Sequence, residues 1–154
     1  MSSPLTHAPD FTLPDAFGDS FSLTAQRPKN VVLYFYPKDD TPGCTKEALE
    51  FTALADEFEA LNTIVVGISK DTVKKHEKFK TKHDLNVILV SDADGTVCED
   101  YGTWVEKKMY GKTYMGIERA TFLIDGDGAV VTEWRKVKVP GHVDAVLEAV
   151  KSLN

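Results

Sequence analysis

Two short runs of consecutive apolar residues do the most to limit how this chain of 154 residues can fold. Residues 31–36 (VVLYFY) and residues 63–69 (TIVVGIS) are both rich in β-branched and aromatic side chains. Runs of this kind are typical of strands that are buried on both faces of a parallel sheet. Between them, apolar residues recur at helical spacings of three and four, at Ala48, Phe51, Leu54, Phe58 and Leu61. The sequence therefore predicts an α/β protein in which an amphipathic helix connects two buried strands.

The rest of the chain predicts two hairpins and two more helices. Residues 11–23 contain two short apolar runs around a turn and predict an N-terminal β-hairpin, and residues 121–134 predict a second hairpin around a glycine-rich turn. Residues 72–83 are rich in lysine and predict an exposed helix, whereas residues 143–153 have an apolar face with helical spacing. This order predicts an α/β sandwich with a central mixed β-sheet flanked by helices.

Composition and charge limit the classes of protein to which the chain can belong. With 42% hydrophobic and 27% charged residues, the composition indicates one globular domain spanning residues 1–154. A net charge of −6 disfavours binding to nucleic acid or to an anionic membrane surface. No run approaches the roughly 18 apolar residues of a membrane helix, and the first residues lack the features of a targeting signal. We therefore expect a cytoplasmic protein, in a compartment where thiols stay reduced.

The chain has two cysteines, Cys44 and Cys98, which are too few for a disulfide scaffold or a four-thiolate metal site. Cys44 follows the first buried run, at the point where the amphipathic helix is predicted to begin. Pro42 suits the first turn of a helix, because its missing N–H would have no partner there, and Thr41 before it is a good N-cap. The sulfur of Cys44 would therefore lie among unpaired backbone N–H groups at the positive end of the helix dipole.

A helix terminus alone does not produce a strongly reactive thiolate. Its field contributes at most about 2 kcal/mol, which corresponds to about 1.5 pKa units. Reactive cysteine thiols have pKa values further below the ordinary value of about 8.5, so a nearby cation is needed. Lys38 and Lys46 are close in sequence, and Arg119 precedes the predicted strand 121–124 and could reach the same end of the sheet. The alternative for Arg119 is a surface ion pair with Glu118 or another carboxylate.

One segment of the chain resembles a known family. Pro37-x-x-x-Thr41-x-x-Cys44, with Arg119 far downstream, resembles the active-site pattern of the peroxiredoxins. The wider string, Tyr34-Phe-Tyr-Pro-Lys followed by Thr-Pro-Gly-Cys-Thr, is similar to the bacterioferritin comigratory proteins, also called Q-type peroxiredoxins. The resemblance covers nearly the whole chain, with further similar blocks at residues 8–15, 66–69, 89–92, 101–104 and 119–125. It implies a thioredoxin-like fold and a thiol-dependent peroxidase acting on hydrogen peroxide and organic hydroperoxides.

The resemblance also implies a role for each residue of this segment. Cys44 would be the peroxidatic nucleophile, which attacks a peroxide oxygen and becomes a sulfenic acid. Thr41 would hydrogen-bond the peroxide, Pro37 would shield Cys44, and Arg119 would stabilise the thiolate. Backbone N–H groups of Gly43 and Cys44 would stabilise the developing negative charge. No metal or organic cofactor enters this scheme. The implied partners are hydroperoxides and an external thiol such as thioredoxin, glutaredoxin or glutathione, and the implied assembly is a monomer or weak dimer.

The second cysteine leaves open how oxidised Cys44 returns to its thiol. Many members of the subgroup carry a resolving cysteine five positions after the first, but Leu49 occupies that position here. If residues 97–101 are helical, Cys98 faces inward, and the two acidic residues that follow it would tend to keep its thiol protonated. We therefore expect Cys98 to be a packed structural residue and the mechanism to use one cysteine. The alternatives are a resolving role for Cys98 after local unfolding, or a non-enzymatic redox sensor or holdase on the same fold.

Other candidate sites have little support in the sequence. The acidic turns at residues 92–95 and 125–128 lack the ligand spacing of a calcium loop. The four histidines share no metal-ligand spacing, so we expect no metal site. A disulfide oxidoreductase or metallochaperone would need a second cysteine close to Cys44. The stretch 105–115 after Trp104 is predicted to pack a hairpin over the site.

Overall fold

The structure, a computed structural model, describes residues 6–153. In that range the strands are β1 (Thr12–Pro14), β2 (Ser20–Ser22), β3 (Asn30–Phe35), β4 (Thr63–Ser69), β5 (Ile88–Ser91), β6 (Trp104–Met109), β7 (Lys112–Ile117), β8 (Ala120–Ile124) and β9 (Val130–Trp134). The helices are α1 (Pro42–Ala53), α2 (Ala55–Ala60), α3 (Val73–His83), α4 (Val97–Asp100) and α5 (His142–Lys151). Strands and helices alternate from β3 to α3 and antiparallel hairpins come later in the chain, as the sequence predicts. β5, which follows α3, was not predicted from the sequence.

A five-stranded sheet forms the centre of the molecule, in the order β5-β4-β3-β8-β9. β3 pairs in parallel with β4, and β4 with β5, whereas β8 and β9 run antiparallel. The predicted mixed sheet is therefore confirmed. Because β8 is antiparallel to β3, its first residue, Ala120, pairs with Phe35 at the end of β3. This register brings Arg119, just before β8, to the end of the sheet where the loop to α1 begins.

The sheet divides the core into two halves. Tyr34 of β3 packs into one cluster with side chains of α1 and α5, and this cluster also contains Cys44. Phe35 packs into a second cluster, with the N-terminal hairpin β1–β2 and with Cys98. Successive side chains of a strand point to opposite faces of a sheet, so the two cysteines lie on opposite sides of it.

Two helices differ from the sequence prediction. The single helix expected after Cys44 is divided into α1 and α2 at Leu54, whose φ of −102° and ψ of 10° interrupt the helical backbone. α3 was expected to be exposed, but its inward face is anchored by His76 and Phe79, which are 0% and 2% exposed. None of the helices within residues 6–153 is long and apolar enough to cross a membrane.

The hairpin formed by β6 and β7 stands apart from the central sheet as a two-stranded sheet of its own. It confirms the hairpin predicted after Trp104. Its tip is open to solvent, with Met109 and Tyr110 54% and 97% exposed. Since β7 ends at Ile117, the hairpin runs directly into the segment that carries Arg119.

Candidate active site

Cys44 lies in the first turn of α1, at the end of the loop that follows β3. Pro42 is the first helical residue, and Thr41 holds the N-cap position with extended backbone angles of −93° and 156°. The first N–H groups of a helix have no partner within it, so the sulfur has unpaired donors and the positive end of the helix dipole beside it. Cys44 is nevertheless only 2% exposed. The position predicted from the sequence is confirmed, and the cysteine side chain is almost completely buried.

The Thr41 side chain does not cap the helix, in contrast to the sequence prediction. No side-chain hydrogen bond closes the N-terminus of α1. Instead, the Thr41 hydroxyl donates to the Lys38 backbone carbonyl at 2.9 Å. The hydrogen bond fixes the hydroxyl within the loop and uses its only hydrogen, which leaves the Thr41 oxygen free to accept another.

Arg119 is the cation that lies beside the sulfur of Cys44. Its Nη2 donates to Cys44 Sγ at 3.3 Å, and its Nη1 donates to Glu47 Oε1 at 2.5 Å. Nη2 would lie 3.2 Å from a Cβ built on Gly43, so a glycine there leaves room for the guanidinium. Lys38 and Lys46 are both exposed. Among the described residues, the hydrogen bond to Cys44 Sγ comes from Arg119 and from neither lysine, so Arg119 takes the role considered for them.

Glu47 is the carboxylate that pairs with Arg119, a partner that was not singled out from the sequence. Glu118, the partner named in the alternative prediction for Arg119, pairs with Arg135 at 3.2 Å instead. Glu47 is fully buried, and its Oε2 has no hydrogen-bond partner among the described residues. Burial raises the pKa of Glu47 from 4.5 to about 7, because the cost of desolvation outweighs the attraction of Arg119. The signal that could have revealed it is its spacing of three from Cys44, which places both side chains on one helix face.

The comparison with known proteins agrees with this arrangement. The model of the AhpC/TSA family matches residues 4–133. A curated relative from Coxiella burnetii, a putative peroxiredoxin Bcp, is 54% identical over 140 residues, which cover 91% of this chain and 93% of the relative. This chain belongs to the AhpC/TSA family. Peroxiredoxin Bcp of Bacillus subtilis is similar as well, with 46% identity over 147 residues that cover 96% of this chain and 94% of the relative.

Solved structures of such peroxiredoxins share the fold. Peroxiredoxin Q of Xanthomonas campestris has a TM-score of 0.88 and 47% sequence identity, covering 92% of this chain and 90% of that one. The bacterioferritin comigratory protein of the same organism, which has alkyl peroxide reduction activity, matches with a TM-score of 0.88 and 46% identity over the same shares of the two chains. The family resemblance and the thioredoxin-like fold are thus confirmed, and the chain is a thiol-dependent peroxidase.

In this peroxiredoxin, the loop between β3 and α1 is held in place by a buried polar network. Asp39 accepts a hydrogen bond from Tyr36 Oη at 2.5 Å and lies 2.6 Å from His76 Nδ1. Its backbone N–H donates to Asp71 at 2.8 Å. The possible metal-ligand atoms of three residues lie within 4.8 Å of one another, a spacing that could hold a metal ion: Asp39, Asp71 and His76. The residues are far apart in the sequence, so their spacing along the chain did not indicate this group. Each is already hydrogen-bonded within the protein, so the network anchors the loop that Pro37 begins.

Cys98 is remote from this site. It lies in α4, is 0% exposed, and its backbone N–H donates to Asp92 Oδ2 at 2.9 Å. Burial and the Asp92 carboxylate raise the pKa of the Cys98 thiol, which keeps it protonated. The inward position is confirmed, but the predicted cause was wrong. Glu99, the acidic residue next to Cys98, forms an ion pair with Lys70 at 2.8 Å. The carboxylate that raises the pKa of the Cys98 thiol is that of Asp92.

Proposed function

We propose that this peroxiredoxin reduces hydrogen peroxide and organic hydroperoxides through Cys44, and that an external thiol then reduces the oxidised cysteine. The observation that carries the proposal is the 3.3 Å contact between Arg119 Nη2 and Cys44 Sγ at the N-terminus of α1. A guanidinium is positively charged at any physiological pH. It therefore places a fixed positive charge beside the sulfur, and it acts together with the helix terminus.

In the first half of the reaction, the Cys44 thiolate attacks the terminal oxygen of a hydroperoxide, ROOH. The S–O bond forms as the O–O bond breaks, and the sulfur loses two electrons to become a sulfenic acid. The leaving oxygen departs as RO⁻ and takes a proton from solvent to give ROH. Negative charge thus moves from sulfur to oxygen, within reach of Arg119 and of the unpaired N–H groups of Gly43 and Cys44. Donors fixed in advance around such a charge stabilise the transition state without reorganising.

Thr41 and Pro37 would position the peroxide. The Thr41 hydrogen is occupied by the Lys38 carbonyl, so its oxygen is left to accept the O–H of the hydroperoxide. This contact would hold the O–O bond in line with the sulfur, which is the geometry that displacement requires. Pro37 begins the same loop, and its fixed φ limits the conformations that the loop can adopt over Cys44.

In the second half, a thiol R′SH attacks the sulfenic sulfur, forms a mixed disulfide with Cys44 and releases water. A second R′SH attacks that disulfide, which releases R′SSR′ and restores the Cys44 thiol. Two observations support an external thiol. Leu49 occupies the position of a local resolving cysteine, and Cys98 lies in the cluster on the other face of the sheet from Cys44.

The identity of the reductant, the assembly and the location remain predictions. Thioredoxin, glutaredoxin and glutathione are the candidate reductants, and comparing the rates at which each supports peroxide consumption would rank them. We expect residues 1–154 to form a single domain. We also expect a monomer or weak dimer, whose sedimentation coefficient would rise little with protein concentration. The cytoplasmic location expected from the sequence is tested by fractionation of the cells that make the protein.

The central experiment compares wild type with Cys44→Ser and Cys98→Ser. We expect Cys44→Ser to abolish oxidation by peroxide and Cys98→Ser to retain steady turnover with an added thiol. A disulfide between Cys44 and Cys98, detected by mass spectrometry after one equivalent of peroxide, would contradict the one-cysteine mechanism. Oxidation of Cys44 without steady turnover by any thiol would indicate a sensor or holdase rather than a peroxidase.

A further inference from the structure

The peptide group between Lys38 and Asp39 is hydrogen-bonded at both of its ends. Its carbonyl accepts from the Thr41 hydroxyl at 2.9 Å, and its N–H donates to Asp71 Oδ2 at 2.8 Å. A peptide group is planar, and in the trans form its N–H and C=O point in opposite directions. The carboxylate that holds the N–H therefore also sets the direction in which the carbonyl faces Thr41.

Asp71 is itself held by the ends of two neighbouring strands. The Ser69 hydroxyl, at the end of β4, donates to the same Asp71 Oδ2 at 2.7 Å. The Ser91 hydroxyl, at the end of β5, donates to the Asp71 backbone carbonyl at 2.6 Å. Oδ2 thus receives two donors, which is the acceptor-only role of an ionised carboxylate. The central sheet fixes Asp71, and Asp71 in turn fixes the peptide group that faces Thr41.

The turn that follows this peptide group depends on such anchors. Asp40 has a φ of 60°, in the left-handed region that residues other than glycine seldom adopt. A backbone in that region is retained only where surrounding contacts hold it. The Asp39 side chain, held by Tyr36 and His76, fixes one end of the peptide group. Rotation of the peptide plane about its own axis is then limited by the hydrogen bond to Asp71.

We propose that Asp71 is a positioning residue for the reaction with peroxide, and that it acts on the Thr41 hydroxyl through the Lys38–Asp39 peptide group. The inference rests on the proposed function, in which the Thr41 oxygen accepts the O–H of the hydroperoxide. Hydrogen bonds in series polarise one another. The carboxylate of Asp71 makes the Lys38 carbonyl a stronger acceptor, and this carbonyl draws on the Thr41 hydrogen. The Thr41 oxygen thereby becomes a better acceptor, and it is held in one orientation.

The test is a double-mutant cycle on the rate at which hydrogen peroxide oxidises Cys44, measured by stopped flow. Asp71→Ala removes the acceptor, whereas Asp71→Asn keeps an amide oxygen in its place. Each is made in wild type and in Thr41→Val, which keeps the shape of the side chain but lacks the hydroxyl. The control is Asp94→Ala, at an exposed aspartate after β5. Alkylation of Cys44 by iodoacetamide is the second readout, because it uses the thiolate but needs no hydrogen bond to a peroxide.

We expect Asp71→Ala to slow oxidation about tenfold, a change of about 1.4 kcal/mol in the barrier. Asp71→Asn should recover part of this rate, because its amide oxygen can still accept from the Asp39 N–H. Asp94→Ala should stay within about twofold of wild type. In the Thr41→Val background, Asp71→Ala should slow oxidation by less than about twofold, because the group on which it acts is absent. Alkylation should stay within about twofold of wild type in Asp71→Ala.

A residue that only stabilised the fold would give a different result. Equal slowing by Asp71→Ala with and without the Thr41 hydroxyl would overturn the inference, as would alkylation that falls in step with oxidation. If Asp71→Ala does not fold, Asp71→Asn is taken through the same cycle, with an expected slowing of about threefold that is lost in Thr41→Val. Failure of peroxide to oxidise Cys44 in wild type would instead overturn the proposed function.

Discussion

Replacing Glu47 with glutamine should remove a pH dependence of stability that the site imposes on the fold. Glu47 is fully buried beside Arg119, and its pKa is raised from 4.5 to about 7. In the unfolded chain the carboxyl loses its proton near pH 4.5, whereas in the folded protein it keeps the proton to about pH 7. The folded state therefore binds more protons between these values, and the free energy of unfolding falls as the pH rises through this range.

The size of the effect follows from the two pKa values. The full difference corresponds to about 3 kcal/mol at about 1.36 kcal/mol per pKa unit. From about pH 5.5 to about pH 8, linkage predicts a loss of about 2 kcal/mol from this carboxyl alone. Glutamine keeps the shape and the hydrogen-bonding oxygen of Glu47 but has no proton to release. The variant should therefore lose about 2 kcal/mol less than wild type over the same interval.

The assay is urea denaturation at about pH 5.5 and about pH 8. At each pH, the free energy of unfolding of the variant is compared with that of its parent. A Cys44→Ser background is best, since it removes the other ionisable group that Arg119 contacts. The control is Glu59→Gln, an exposed glutamate of α2, which should change the pH dependence little. If Glu47→Gln and its parent lose stability in parallel from about pH 5.5 to about pH 8, burial of Glu47 does not hold its proton, and the reasoning is wrong.

Three other substitutions test the site and the core. Arg119→Met should slow oxidation of Cys44 by about 10²–10³-fold, since it removes a fixed donor from the developing charge, as measured by stopped flow with hydrogen peroxide. His142, whose pKa is lowered to about 4 mainly by burial, contributes stability that is lost as the pH falls from 6.5 toward 4, and His142→Gln should flatten that decline in acid denaturation. Phe51→Ala, at a fully buried position, should cost about 3–5 kcal/mol in urea denaturation at neutral pH.

The sequence predicted the parts of the fold that depend on local pattern. β4 begins at Thr63 and ends at Ser69, as its apolar run indicated, because a strand buried on both faces leaves a continuous signal. β5 was not assigned from pattern, since four residues after a lysine-rich helix carry no usable periodicity. The break at Leu54 was also missed. Phe58 of α2 continues the apolar spacing of α1 and packs into the same core cluster. The apolar pattern is therefore the same as that of one continuous helix and gives no sign of the break.

In the active site, too, features set by local sequence were predicted, whereas features set by contacts between distant residues were not. The place of Cys44 in the first turn was predicted, because proline and threonine mark helix starts through their own backbone preferences. Its contact with Arg119 was within reach of the sequence, since a residue at the start of a sheet strand lies at the sheet end. The ion pair of Arg119 with Glu47 spans 72 residues and depends on which side chain of α1 faces the guanidinium.

One guanidinium accounts for much of the electrostatic behaviour of the site. Arg119 lowers the pKa of His142 and of Lys107 and opposes the raised pKa of Glu47. Its charge is shared between Cys44 and Glu47, which contact different nitrogens of the same group. While Glu47 holds its proton, the full charge of Arg119 is available to the sulfur. As Glu47 ionises, it competes for that charge. Glu47 Oε2 has no hydrogen-bond partner among the described residues, so no further donor stabilises the ionised carboxylate. A donor at that oxygen would favour ionisation of Glu47, and the ionised carboxylate would weaken the interaction of Arg119 with the sulfur of Cys44.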